Sequence, residues 1–135
     1  MERILLYYSS NKRSNALESY VIQLRKQGHS MFFLSTCEEG DLHLYLRSLG
    51  IESHGLAGGS TFFPLVFFRR FFSLLRFCSV RQITIVHSHL HPTNIVAVIA
   101  QFFLKCKVFI FRHHLHHPDE SMQLNRNEMF FDRII

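Results

Sequence analysis

Apolar residues along this chain follow two periods that take turns. Short apolar runs at residues 3–8, 31–34, 83–87 and 108–111 are bounded by polar or turn residues and read as buried strands; residues 51–54 read as a short fifth. Between them, apolar residues recur at i, i+3, i+4, i+7. Leu17, Tyr20, Val21 and Leu24 form one such stripe, and Leu42, Tyr45, Leu46 and Leu49 form the next. Gly28 and Gly50 stand just past these stripes, where a helix C-terminus favours glycine. Residues 93–104 are apolar nearly all round, which predicts a deeply buried helix. The tail from Glu120 to Ile135 also reads as a helix, and Gly58-Gly59-Ser60 as a loop.

The block from Phe62 to Phe77 is apolar enough to raise the question of a membrane span. A span needs about 20 mostly apolar residues. Each central arginine costs about 2.5–3.5 kcal/mol even on a lenient insertion scale, and this block holds Arg69, Arg70 and Arg76. An amphipathic helix is expected instead, with Arg69, Ser73 and Arg76 on one face. Two roles stay open for it: packing on a sheet and a neighbour, or peripheral contact with an anionic bilayer.

Strands alternating with helices imply an α/β fold with a parallel sheet and right-handed crossovers. A Rossmann-like, doubly wound sheet in the order 3-2-1-4-5 is the economical arrangement. Its ligands bind beyond the carboxyl ends of the strands, at the switch between strands one and four. Residues at strand ends therefore become the candidates for chemistry. The loop at residues 9–15 would face the run His87-Ser88-His89-Leu90-His91-Pro92-Thr93-Asn94 across this crevice. The fifth strand ends in Arg112-His113-His114-Leu115-His116-His117 and would bring His113 and His114 to the same edge.

The chain's 135 residues suffice for one domain with a real core. Its net charge of +5, with ten histidines, favours anionic partners. The basic residues do not cluster on one predicted face, and the aromatics follow the core periodicity, so nucleic-acid binding is not expected. Cys37, Cys78 and Cys106 are widely spaced and odd in number, which predicts reduced, mostly buried thiols in a cytosolic protein. The first residues lack the long apolar run of a signal peptide.

Several of these segments together resemble the N-terminal domain of GT-B glycosyltransferases of the retaining family 4 type. The resemblance runs along essentially the whole chain. A strand and polar loop lead into a helix with Glu18 before an apolar stripe. The step Lys26-Gln27-Gly28-His29-Ser30 matches the family's K-x-G-H. Thr84-Ile85-Val86-His87-Ser88-His89 matches D-I-V-H-A-H, Pro92-Thr93-Asn94 fits the start of the next helix, and Phe111-Arg112-His113 matches T-x-H. The resemblance implies transfer of a sugar from a nucleotide-sugar donor to an acceptor hydroxyl in polysaccharide, lipopolysaccharide or glycolipid synthesis, with no further cofactor and no metal. It implies a catalytic role for His113, near the transferred sugar, and substrate contacts for Ser10, Asn15, His89, Asn94, Arg112 and His114. It also implies a sugar or lipid-linked acceptor and a cytoplasmic location, peripheral on the inner face of the membrane.

Two departures qualify it. The family's first loop has a Gly-Gly pair, and here the place reads Ser14-Asn15-Ala16-Leu17. The family's second, donor-binding domain is expected to be absent. Residues 1–135 then form the acceptor-side half, inactive alone, with the C-terminal half on a separate chain or missing. A truncated, non-catalytic partner-binding module is the first alternative. The second is a metal-dependent hydrolase using His87-x-His89-x-His91, since histidines at alternate strand positions share a face and ligate zinc readily; Pro92 and the lack of a nearby acid count against it.

Overall fold

The computed structural model describes residues 1–56 and 62–111. Their order is β1 (Arg3–Tyr8), α1 (Asn15–Lys26), β2 (Ser30–Ser35), α2 (Asp41–Ser48), β3 (Glu52–His54), α3 (Phe63–Val80), β4 (Ile85–His89), α4 (His91–Ala100) and β5 (Lys107–Phe111). The expected tail helix at 120–135 and the loop Gly58-Gly59-Ser60 lie outside the described residues. The strands form one parallel sheet in the order β3-β2-β1-β4-β5. This is the Rossmann-like α/β arrangement, with the topological switch between β1 and β4.

Side chains alternate across the sheet and divide the core in two. Leu5, Tyr7 and Val86 point to one face, where Phe71, Leu74 and Cys78 of α3 and Val96, Ala97 and Ala100 of α4 cover them. Ile4, Leu6 and Phe33 point to the other, under Leu17 and Val21 of α1 and Leu42 and Leu46 of α2. Gly28 and Gly50 take φ of +86° and +76°, the left-handed conformation that terminates α1 and α2.

Two elements differ from their sequence expectation. The fourth strand runs Ile85–His89, not 83–87. Ile83 N–H instead bonds to Cys78 O, closing the turn after α3, and Thr84 leads into the sheet, donating to Arg3 O of β1 and accepting from Lys107 N–H of β5. That shift draws His87, Ser88 and His89 into the ladder, opposite Phe109, Ile110 and Phe111 of β5. The following helix begins at His91, because Pro92 suits a first helical turn, and stops at Ala100. It is also not buried all round: Ile99 is exposed, as are Phe102 and Phe103 in the turn beyond it. Of the thiols, Cys78 is buried whereas Cys37 and Cys106 are only half-buried, so the expectation of mostly buried cysteines holds for one of three.

Candidate functional site at the β1/β4 switch

The carboxyl ends of β1 and β4 meet where both crossovers turn back, and polar side chains collect there. β4 sends His87 and His89 to the α1 face and Ser88 to the α4 face. His87 is buried, and its Nδ1 lies 2.5 Å from the hydroxyl of Tyr20 on α1. Burial pushes the His87 imidazole below its usual range, so it is neutral near pH 7. His89 stacks on Phe111 of β5 with ring centroids 4.5 Å apart and planes 3° from parallel. The Tyr20 ring meets both imidazoles edge-on or tilted at 5.8 Å, and Tyr8 approaches His89 at 5.9 Å. The two histidines thus stand in an aromatic box made by β1, α1 and β5. An imidazole so held presents a polar nitrogen at a defined place, and the neutral ring of His87 is a hydrogen-bond donor and acceptor rather than a cation.

On the other face, Ser88 Oγ donates to Asn94 Oδ1 at 2.8 Å, and Asn94 Nδ2 donates to Phe111 O at 3.1 Å. Thr93 Oγ1 is bonded to the carbonyls of His89 and Leu90. These bonds tie β4, the first turn of α4 and the end of β5 together. Between them Leu90 has φ +74° and ψ 152°, a region essentially reserved for glycine that costs a leucine of order 1–3 kcal/mol. A strained residue at a strand-to-helix turn, fixed by buried hydroxyl and amide bonds, is characteristic of functional sites.

The opposite wall is the loop after β1. Ser10 Oγ accepts from Lys12 N–H, a local turn, and Asn15 is exposed at the first position of α1. Asn11 anchors the loop by donating from Nδ2 to Glu38 O and accepting Leu42 N–H at its own carbonyl, both at 3.0 Å. Ser14 caps α1 without a side-chain bond, so its first-turn N–H groups remain available to an acceptor. Arg13 is held to Glu18 by a bidentate pair and covers the ring of Tyr45 at 4.1 Å, away from the histidines.

The structure therefore gathers Ser10, Asn15, His89 and Asn94 at one sheet edge, although the amide of Asn94 is committed to Ser88 and Phe111. Arg112, His113 and His114 lie outside the described residues, as do His116 and His117. Tyr20 was not among the residues singled out from sequence. A tyrosine in a stripe otherwise made of leucine and valine, on the helix opposite strand-end histidines, is the signal that marks it. The alternation His87-x-His89-x-His91 does not continue on one strand, since His91 opens α4. Among the described residues, no group of three or more His, Cys, Asp or Glu side chains could hold a metal ion.

No protein-family model and no curated protein matches the sequence. Solved structures do match in fold. A glycosyltransferase from Rickettsia africae superposes with a TM-score of 0.66 at 17% identity, over 87% of this chain and 32% of that one. MurG of Acinetobacter baumannii superposes with a TM-score of 0.60 at 15% identity, over 80% of this chain and 34% of that one. The chain spans about a third of the length of each, and at these identities the likeness is one of fold.

Proposed function

We propose that this chain is the N-terminal, acceptor-side half of a GT-B glycosyltransferase of the retaining family 4 type, and that residues 1–135 form that single domain. The observation that carries the reading is the pair His87–His89 at the β1/β4 switch, inside a fold shared with two glycosyltransferase structures that are each about three times as long. Transfer between two bound substrates needs them held in register and needs donors for the leaving diphosphate. The edge described above supplies the acceptor side. His89 and the loop bearing Ser10 and Asn15 contact a sugar or lipid-linked acceptor, and Asn94 shapes the wall through Ser88. The uncapped first turn of α1 faces the diphosphate of a nucleotide sugar, where amide N–H groups and the helix dipole favour an anion. His113 is assigned to the transferred sugar, with Arg112 and His114 beside it. Products of this kind belong to polysaccharide, lipopolysaccharide or glycolipid synthesis, at the cytoplasmic face of a membrane.

The donor-gripping half comes from a second Rossmann-like unit outside these residues, so the chain alone is expected to bind acceptor and not to turn over. The test is amide and imidazole NMR of the chain titrated with oligosaccharide acceptors and with a nucleotide sugar, beside a transfer assay. Shifts confined to residues 9–15, 87–94 and 112–114 support the reading. No shift at millimolar ligand overturns the acceptor site, and sugar transfer by the chain alone overturns its role as a half. The alternative of a non-catalytic partner-binding module draws on the one-third span; it predicts no saccharide shifts and capture of a separate protein.

A further inference from the structure

Two of the three thiols stand in contact at the edge of the sheet opposite the candidate site. Cys78 lies in the last turn of α3, and Cys106 stands immediately before β5. Cys78 is a buried member of the core under α3 and α4, and Cys106 packs against that core while remaining only half-buried. The Cys78 thiol donates a hydrogen bond to the Cys106 sulfur. The pair is therefore asymmetric: solvent reaches one residue, and the other is enclosed directly behind it. The hydrogen bond pulls Cys106 down to about 7, so a good share of it is thiolate at neutral pH, and Lys105 and Lys107 are its chain neighbours. The same contact, together with burial, pushes Cys78 up and keeps it protonated. Cys37 follows β2 at the carboxyl edge of the sheet, a strand's length away from both. A solvent-reached thiolate backed by a second thiol is the arrangement of a peroxide-reactive cysteine and its resolving partner.

We propose that Cys78 and Cys106 form a redox couple in which hydrogen peroxide oxidises Cys106 and Cys78 then closes a disulfide that staples α3 to the start of β5. The Cys106 thiolate attacks one peroxide oxygen. The S–O bond forms as the O–O bond breaks, and hydroxide leaves a sulfenic acid behind. The Cys78 sulfur then attacks the Cys106 sulfur. The S–S bond forms, the S–O bond breaks, and the departing hydroxide takes the Cys78 proton as water. Two thiols and one peroxide give one disulfide and two waters, the sulfurs losing the two electrons that the peroxide gains. The contact that raises Cys78 is with the Cys106 thiolate, and it ends once that sulfur is oxidised. An S–S bond of about 2.05 Å asks the sulfurs to draw together by roughly an ångström or two. The turn at 101–106 lies before the β5 ladder begins and takes up that movement. The bridge closes residues 78–106 into a loop that contains α4 and all of β4, with His87 and His89. It thereby restrains the strand of the candidate site and favours the folded state by limiting the unfolded chain. The inference rests on the thiol pair and does not require the transferase reading.

The test treats the full chain with hydrogen peroxide, blocks the remaining thiols with iodoacetamide and maps the tryptic peptides by mass spectrometry. A linkage between residues 77–81 and residues 106–107 is expected, with Cys37 still alkylated. Labelling of Cys106 should fall by about tenfold and return with dithiothreitol. The urea midpoint should rise on oxidation and fall back on reduction. In Cys78→Ser, Cys106 should stop at the sulfenic acid and be captured by dimedone. Circular dichroism checks that this variant is folded, and the linkage in the native chain is read independently of it. Cys106 left unreacted, or carried to sulfinic acid without a linkage to Cys78, overturns the proposal. So does a disulfide that runs through Cys37 or between two chains, or a folded Cys78→Ser that yields no dimedone adduct.

Discussion

Single residues in this protein are legible mainly through what their polar atoms are forced to do. His43 is fully buried on α2, yet all its polarity is used. Gly40 N–H donates to its Nδ1 at 3.0 Å, which leaves the proton on Nε2 to be donated to Ser35 Oγ at 2.8 Å; Ser35 in turn donates to Cys37 O. That arrangement needs the neutral ring, and burial lowers its pKa, as it does for His87. A histidine with a depressed native pKa binds fewer protons folded than unfolded, so stability is intact above the unfolded value of about 6.5 and falls as pH drops below it. Urea unfolding at pH 7.5 and pH 5.5 should therefore show a lower midpoint in acid. His43→Gln, which keeps polarity without a titrating ring, should shrink the difference. Tyr20→Phe removes the hydroxyl from His87 and should cost about 0.5–1.5 kcal/mol, while NMR titration should show a changed His87 midpoint. The thiols behave differently again. The hydrogen bond from Cys78 pulls Cys106 down to about 7, and the same contact together with burial pushes Cys78 up. Iodoacetamide at pH 7.5 should thus label Cys106 well before Cys78; equal rates would contradict the pairing.

Elements show where pattern reading succeeds and where it cannot. Periodicity located all the described helices and strands, because burial on a parallel sheet is a simple requirement repeated along the chain. It misplaced β4 by two residues. Nothing in apolar periodicity reveals that Ser88 and His89 can sit in a buried strand, since their acceptance depends on Asn94 for the first and on Tyr20 and Phe111 for the second, partners on other elements. The turn at Leu90 was illegible for the same reason: a leucine gives no sign of a glycine-like conformation until Thr93 and Asn94 are seen to hold it. Leu90→Gly relieves that strain but forfeits a half-buried side chain and adds chain entropy to the unfolded state. The expected net is a change within about 1 kcal/mol of zero, where Thr93→Val, which strips the turn of its hydroxyl, should destabilise by about 1 kcal/mol. A large loss in Leu90→Gly would show that the strain is not there. Gly55 after β3 offers the sharper contrast, since a Cβ there would lie 2.7 Å from both Cys37 O and Glu39 N. These are backbone atoms and cannot swing aside. Gly55→Ala should lower the urea midpoint clearly, by an amount typical of core overpacking, about 1–3 kcal/mol.

At the scale of the whole molecule, one sheet serves two cores, and this decides how the protein should unfold. Leu6 on β1 belongs to the core under α1 and α2, whereas Leu74 belongs to the core under α3 and α4, and both are almost wholly inaccessible. Neither core can form without β1, whose residues alternate between them and which pairs with β2 on one side and β4 on the other. β4 reaches β1 from far along the chain, Ile85 pairing with Ile4, and adds only Ile85 to the edge of the α1–α2 core, so the two layers are coupled through β1 itself. That coupling was implicit in the order 3-2-1-4-5 expected from the alternation of elements, and the same order placed the candidate site at the switch. The sequence was silent on how far the site's imidazoles are enclosed, because Tyr20 and Phe111 reach them from elements that are neighbours only in the folded sheet. Leu6→Ala and Leu74→Ala should each cost about 2–5 kcal/mol. If the sheet couples the layers, both variants keep a single urea transition, the same by circular dichroism and by tyrosine fluorescence. The double variant should then lose close to the sum, since the two sites lie in different cores on opposite faces of the sheet. Two transitions in Leu74→Ala would mean that the α1–α2 layer survives alone, and that β4, with its histidines, is released from the sheet before the rest of the molecule unfolds.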